Sequence, residues 1–257
     1  MGGLGIKTVE NALKDIKKKY QIDIVTAQAE NVSEGKGISY SDYIKLKNIG
    51  IDFFTGGNWT LYNQEIFNIL NNPNEPIIRP ANYPKDTPGL GYKYLKTELG
   101  NILFVTLLGQ IVGRDSDKPI DNPLKTIDHI IESEKNNNKI ATIVNFHGDY
   151  SSEKVVIGHY LDGKVAAVIG DHWHVPTADG RILPKGTAHI SDVGMCGALN
   201  SSLGIKLPII INRWRDGNKS RNELETVGPC QFNAVSINID EKTGLAKDIK
   251  QINVVIQ

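Results

Sequence analysis

The sequence predicts an α/β protein in which two packed β-sheets are flanked by helices, and three observations support this prediction. Strand-like apolar runs alternate with segments of helical periodicity through the first two thirds of the chain. Strand signals dominate the last third, and this order of elements is typical of layered α/β folds. The 257 residues, of which 40% are hydrophobic, are enough to bury one large core.

The predicted strands are short apolar runs bounded by turn-forming residues. Residues 71–91, which are polar and contain proline and glycine, lie between two such runs and are predicted to form a long surface loop. The strands are predicted over residues 22–27, 51–55, 102–108, 140–146, 165–170, 187–190, 232–239 and 252–256.

The predicted helices lie between these runs. Thr8 is a suitable N-cap for a helix that reaches Tyr20, because the apolar residues that follow Thr8 recur at helical spacing. Ser39 or Ser41 begins a second helix, which closes near Gly50. Two further helices are predicted over residues 63–70 and 124–134.

Side chains of the kinds that bind metals follow four of the predicted strands. His172 and His174 come after one strand, and imidazoles at i and i+2 in extended or turning chain can reach one centre. On a helix the same pair would point roughly 200° apart. The other three strand ends carry His147, Glu30 with Asn31, and Asn58. A lone polar residue of this kind is usually an ordinary loop or core residue, but four together predict a metal site at one sheet edge.

The ligand types indicate the chemistry of this site. Imidazoles, a carboxylate and amide oxygens without thiolates favour Mn, Fe or Zn in a catalytic site over a closed structural zinc. Glu30 is the natural bridging ligand, because two cations roughly 3.5–4 Å apart need a shared anion. A metal pair of this kind makes bridging hydroxide available for attack on a clamped phosphate, so phosphoester hydrolysis is the default prediction.

The amino-acid composition limits the binding partners and the cellular compartment that we expect for this protein. The 29 basic and 29 acidic residues balance, which gives no electrostatic reason to expect duplex nucleic acid or an anionic membrane as a partner. No apolar run approaches the roughly 20 residues of a membrane span, and the start of the chain lacks the pattern of a signal peptide. We therefore expect a cytoplasmic protein in which Cys196 and Cys230 are reduced bystanders.

A series of motifs, taken in order along the chain, resembles the bacterial metallophosphoesterases of the 2',3'-cyclic nucleotide phosphodiesterase group, a branch of the calcineurin-like phosphoesterases. The resemblance extends from the first residues to about Ile256 and implies a single domain over residues 1–257 with a two-sheet sandwich. The matching segments are residues 27–31, 35–37, 57–58, 79–84, 146–147, 151–154, 162–165, 172–179, 181–188 and 191–197.

The resemblance also implies roles for individual residues. Glu30 corresponds to the ligand that bridges two divalent metals. Asn31 and His174 correspond to ligands of one metal. The ligands of the other metal correspond to Asn58, His147 and His172. The implied substrate is a small phosphoester or cyclic nucleotide, and a homo-oligomer is left open.

The chain departs from the family pattern at three places. Members of the family open with a strand that leads to an aspartate ligand of the first metal, and residues 1–6 match only the segment after that aspartate. Trp59 replaces the histidine that is thought to protonate the leaving oxygen, and an indole cannot do this. Asp171, Trp173 and Asn145 alter the surroundings of the ligands.

Two interpretations of the first departure remain open at this stage: a genuine glycine-rich start, or, as we prefer, a mis-assigned or truncated start that leaves the first strand missing. In either case the first metal keeps only Glu30, Asn31 and His174, so one metal could be bound in place of two. The sequence thus supports two functional hypotheses. The first is a metal-dependent phosphodiesterase, and the second is a weakened or inactive relative that binds a metal or nucleotide as a regulator.

Overall fold

The computed structural model describes residues 1–113 and 115–257, and its helices flank layered sheets as the sequence predicts. The helices are α1 (Gly2–Tyr20), α2 (Tyr40–Ile49), α3 (Phe67–Asn71), α4 (Pro123–Ser133), α5 (Ser151–Tyr160) and α6 (Leu207–Asp216), with a 3-10 turn at Gln64–Ile66 before α3. The strands are β1 (Thr26–Gln28), β2 (Phe53–Thr55), β3 (Tyr92–Thr97), β4 (Gly100–Leu108), β5 (Ala141–His147), β6 (Ala167–Asp171), β7 (Arg181–Ile182), β8 (Ala188–Ile190), β9 (Gly197–Ala198), β10 (Cys230–Ile239) and β11 (Ala246–Ile256).

Within the described residues these strands form three hydrogen-bonded groups. The largest sheet has the order β3-β4-β5-β6-β8-β7, with a parallel centre and antiparallel edges. An antiparallel sheet has the order β11-β10-β9, and β1 pairs in parallel with β2. The predicted α/β class is therefore confirmed, although β1 and β2 are shorter than the predicted strands.

Strand register brings the predicted ligands to one edge. His147 and Asp171 are register partners at the carboxyl ends of β5 and β6. Parallel β1 and β2 also end side by side at Gln28 and Thr55, so the residues that follow them start from the same edge. Ligand sites in open α/β sheets lie at such carboxyl ends.

The prediction that Thr8 caps the first helix is wrong, because α1 begins six residues earlier, at Gly2. The Thr8 hydroxyl donates to the carbonyl of Leu4 within the helix instead of capping it. Gly5 lies where a Cβ would come within 2.7 Å of the Cys196 carbonyl oxygen. Gly5 therefore lies inside the helix because only glycine allows the backbone of residue 196 to pack this close. Hydrophobic periodicity does not reveal such a contact, so the sequence did not predict this first part of α1. For α2, Ser39 is the cap, and its side chain accepts the N–H of Asp42.

The segment 71–91 is irregular, as the sequence predicts, but its middle is buried in the core and not on the surface. Ile77 and Ile78 are buried, and the Ile78 N–H donates to the carbonyl of Phe54 in β2. The buried Asn82 amide donates to the Leu108 carbonyl and accepts the Leu108 N–H. Because such side chains satisfy buried backbone groups, a polar segment can cross the core.

A cavity of about 940 Å³ lies between β1 and β10. Its walls include Ile24 and Ala27 on one side and Val235 and Ile237 on the other. Its lining also includes Met1, the histidines of the predicted site, and Phe104, Ile143 and Ile169. We call this space the β1–β10 slot.

Cys196 and Cys230 are free thiols, as expected from the sequence. In the described parts of the chain, no helix combines the length and the apolar character needed to cross a membrane.

Candidate metal centre

His147 lies at the middle of the predicted ligands and is only 1% exposed. Its Nε2 is 3.0 Å from Glu30 Oε1 and 2.9 Å from Asn58 Oδ1. The ring centres of His147 and His172 are 4.4 Å apart. Glu30, His147 and His172 each offer one ligand atom within 4.8 Å of the others, so the structure brings these predicted residues together.

Asn31 and His174 form a second pair beside this cluster. His174 Nε2 is 3.2 Å from Asn31 Oδ1, and the buried Nδ1 of His174 has no hydrogen-bond partner among the described residues. Asn31 Nδ2 donates to the Gly35 carbonyl, and this hydrogen bond leaves Oδ1 of Asn31 facing His174. Burial lowers the pKa of His174 to about 4, so the ring is neutral near pH 7 and able to act as a ligand.

The negative charges around His147 favour binding of a cation. Burial alone would lower the pKa of His147, but the carboxylates of Glu30 and Asp171 outweigh it and raise the pKa to about 10. Burial, together with the neighbouring His147, lowers the pKa of His172. Two buried carboxylates therefore face a single imidazolium, and a divalent metal in place of the proton would neutralise them better.

Gly57 allows the backbone to pass this close to the ligands. A Cβ at Gly57 would lie 2.3 Å from Glu30 Oε2 and 2.6 Å from the His147 ring. The next two residues then turn toward the cluster, and the Trp59 N–H donates to Glu30 Oε2 at 2.8 Å. Trp59, the residue at the expected position of the acid, is thus anchored on the predicted bridging carboxylate.

Asp171 and Asn145 act together on His147. Asp171 Oδ1 is 2.5 Å from His147 Nδ1, and Asp171 Oδ2 accepts Asn145 Nδ2 at 2.8 Å. A carboxylate on the second nitrogen of a ligand histidine fixes the ring orientation and increases its basicity.

Replacing Asp171 by asparagine keeps the size of the side chain but removes this charge. We expect metal affinity, measured by competition with a chelator, to fall about 10- to 100-fold, which is typical for loss of a partner behind a ligand histidine. Asp162→Asn is a suitable control, because Asp162 is a buried carboxylate that accepts backbone N–H groups of Lys185 and Thr187. Equal affinities for the Asp171→Asn variant and the unaltered protein would contradict the role of Asp171.

The loop that carries the paired histidines has strained backbone. His172 has a φ of 99° and His174 a φ of 63°, a region that residues other than glycine rarely adopt. The fully buried Lys154 of α5 donates to the carbonyls of Asp171 and Ser191 and pairs with Asp192 at 3.3 Å.

Asp192 in turn accepts the Trp173 N–H at 2.7 Å, between the two histidines. The buried pair Lys154–Asp192 therefore holds the start and the middle of the strained loop, at Asp171 and Trp173. Sequence reasoning placed Lys154 in a matching segment but missed this role, although Lys154 lies three and seven residues before the buried Ile157 and Leu161.

Two acidic residues that the sequence did not single out also contact the ligands. Asp149 lies 3.1 Å from Nε2 of His172. Asp115 accepts Asn58 Nδ2 at 2.8 Å and pairs with Lys118 at 2.9 Å. Both residues lie in irregular segments after strands, and no local pattern marks them.

The chain has layered sheets with helices outside, and carboxylate, imidazole and amide side chains meet at the strand ends. Together with the relatives below, these features define an enzyme of the metallophosphoesterase type. The model of the YmdB-like protein family matches residues 1–252, and the chain belongs to this family. A Bacillus subtilis relative named 2',3'-cyclic-nucleotide 2'-phosphodiesterase is 37% identical over 254 residues, covering 98% of this chain and 93% of the relative.

Solved structures are similar to this chain over nearly its whole length. A novel phosphatase from Mycoplasma pneumoniae matches with a TM-score of 0.89 and 31% identity, covering 99% of this chain and 90% of that one. A hypothetical protein from Thermus thermophilus matches with a TM-score of 0.88 and 32% identity, covering 99% and 96% of the two chains. A Staphylococcus aureus putative 5'-nucleotidase shares only the fold, with a TM-score of 0.61 and 15% identity over 97% of this chain and 49% of its own.

Proposed function

We propose that this protein is a metal-dependent phosphodiesterase that hydrolyses cyclic nucleotides or related small phosphoesters. The observation that carries the proposal is the cluster formed by the buried Glu30 and His147 with the half-buried His172. Asn58 lies at one side of it, 2.9 Å from His147. The name of the Bacillus subtilis relative supports the cyclic nucleotide as substrate.

In this proposal Glu30 would be shared between two metal positions. Asn31 and His174 would hold a metal at one position, and Asn58, His147 and His172 would hold one at the other. The donor set of imidazole, carboxylate and amide oxygens suits Fe, Mn or Zn. When bound, such metals polarise the phosphoryl oxygens and make hydroxide available as a nucleophile near neutral pH.

The chain's own residues orient these groups. Because Asp115 accepts the Asn58 Nδ2–H, the Asn58 oxygen is the atom left to face His147. Lys118 lies at the same corner, with Nζ 3.4 Å from the Asn58 carbonyl oxygen and about half of its side chain exposed. Its ammonium is a suitable contact for an anionic phosphoryl oxygen.

Turnover assays with and without metal test this function. Protein stripped with a chelator should hydrolyse neither bis(p-nitrophenyl) phosphate nor adenosine 2',3'-cyclic monophosphate, and Mn²⁺, Fe²⁺ or Zn²⁺ should restore activity. A metal-replete protein that hydrolyses neither substrate would favour the second candidate, a regulator that binds a metal or nucleotide. Trp59, in place of a proton donor, is the observation that favours the second candidate.

Trp59→His tests how far the missing acid limits the enzyme. Cyclic nucleotides expel an alkoxide that needs a proton, whereas bis(p-nitrophenyl) phosphate expels a stable phenolate. We expect kcat to rise on the cyclic nucleotide by up to about 10²–10⁴-fold, the usual range for general acid catalysis, and to change much less on the aryl diester. Both proteins must be metal-replete. Equal changes on the two substrates would show that Trp59 acts through shape alone.

We also propose that the β1–β10 slot receives an additional strand, the one that the family resemblance implies. Among the described strand pairings, β1 pairs only with β2, and residues 232–239 of β10 pair only with β11. Both walls of the slot therefore present strand edges, and the slot reaches Met1 beside the candidate metal centre.

A further inference from the structure

The surface beside Glu30 carries two aromatic rings and a lysine for which the proposed hydrolysis has no use. The rings of Trp59 and Tyr62 are 5.6 Å apart and meet edge to face. Lys36 Nζ lies 4.8 Å from the centre of the Trp59 ring and 5.5 Å from that of Tyr62. Tyr62 is 54% exposed and Trp59 is half-buried, so both side chains remain accessible to solvent.

Backbone hydrogen bonds fix this cluster relative to the candidate metal centre. The Trp59 N–H donates to Glu30 Oε2 at 2.8 Å, and the Tyr62 N–H donates to the Trp59 carbonyl at 3.0 Å. On the other side, the residue after Lys36 donates its N–H to the Glu30 carbonyl. Glu30 thus anchors both the aromatic side and the lysine side of the cluster.

If the Trp59–Tyr62–Lys36 cluster only stabilised the surface, its position relative to the candidate metal centre would be arbitrary. Here its aromatic side is anchored by the Trp59 N–H on the carboxylate that is proposed to bridge the metals. Aromatic side chains stack on nucleobases of any sequence, and an ammonium over an indole face holds the ring in place. A nucleotide with its phosphate at the metals would bring its base into this neighbourhood.

We propose that Trp59, Tyr62 and Lys36 form a base-binding subsite. The nucleobase stacks on the Trp59 indole, Tyr62 borders it, and Lys36 fixes the indole plane. This inference rests on the proposed function and narrows the substrate from small phosphoesters to nucleotides with an aromatic base.

Calorimetric titration of the Mn²⁺-loaded protein tests the subsite without turnover. Adenosine 5'-monophosphate and ribose 5-phosphate share the ribose and the phosphate and differ by the base. Stacking contributes about 1–3 kcal/mol per base, which corresponds to a roughly 5- to 150-fold preference for the adenosine nucleotide. Trp59→Leu should reduce this ratio toward one while leaving ribose 5-phosphate affinity unchanged, and Tyr62→Leu and Lys36→Met should reduce it in part.

Trp214→Leu is the matched control, because it removes an indole that is 86% exposed on α6, and it should leave the ratio unchanged. A ratio near one in the unaltered protein, or an undiminished ratio in Trp59→Leu, would overturn the subsite. If inorganic phosphate and both probes fail to bind the metal-loaded protein, the proposed function fails and the subsite with it. Binding of phosphate and ribose 5-phosphate without a base preference removes the subsite alone.

Discussion

Replacing His147 by alanine is expected to abolish metal binding and turnover together. His147 contacts Glu30, Asn58 and Asp171 at once, so its removal breaks three contacts of the cluster. Loss of the metal removes several kcal/mol of charge stabilisation from the transition state, and each 1.36 kcal/mol is tenfold in rate. We therefore expect hydrolysis of bis(p-nitrophenyl) phosphate to slow on the order of 10³-fold or more.

The same change should destabilise the metal-free protein. It leaves the buried carboxylates of Glu30 and Asp171 without a cation between them, and an uncompensated buried charge costs about 3–5 kcal/mol. At about 2–4 °C per kcal/mol, the Tm should fall by roughly 6–20 °C.

The measurements are elemental analysis, calorimetry and steady-state kinetics on a sample shown to be folded by circular dichroism. His129→Ala is the control, because His129 lies on the exposed face of α4 and should behave as the unaltered protein does. If the His147 variant proves insoluble, His147→Gln keeps a polar side chain of similar size. Normal metal content in either His147 variant would refute the site.

Filling the β1–β10 slot with a strand is expected to raise thermal stability and metal content together. The proposed segment, fused ahead of Met1, has five β-branched or aliphatic residues followed by glycine and aspartate. Each fully buried aliphatic side chain contributes about 1.5–3 kcal/mol, and pairing with both walls adds backbone hydrogen bonds. These gains oppose a backbone ordering cost of about 1–2 kcal/mol per residue, so a net gain of a few kcal/mol is expected.

The metal content should also change. Without the added segment, the protein should bind one transition metal tightly and a second weakly. A further carboxylate beside Asn31 and His174 should bring elemental analysis after dialysis close to two equivalents. A segment that ends in asparagine in place of aspartate separates the effect on thermal stability from the effect on metal content. With asparagine, the Tm should still rise, but the second metal should still bind weakly.

A segment with prolines at two strand positions lacks the N–H groups needed for pairing and is the control for added length. Two equivalents held equally well by the protein without the segment would contradict the metal expectation. Equal Tm values for the apolar and proline-containing segments would contradict the strand.

The sequence by itself determined the α/β class, most helices and the strands whose ends carry the ligands. These features depend on periodicity, capping and turn signals, all of which act over a few residues. The β5 and β6 ends at His147 and Asp171 are an example, because apolar runs followed by polar residues are visible without any contact information. The resemblance to the metallophosphoesterases, carried by motifs in order along the chain, likewise needed no coordinates, and the family match confirmed it.

Tertiary structure alone decided what surrounds the ligands. Asn58 and Asp115 are 57 residues apart in the chain, and Asn31 and His174 are 143 apart. Whether such residues meet depends on how the sheets and loops pack, and no local signal records it. The same reason explains why the middle of 71–91 is buried, why α1 begins at Gly2 and why Lys154 holds the histidine loop. Buried polar groups take whatever partners the packed core offers, and the fold specifies those partners only when it is complete.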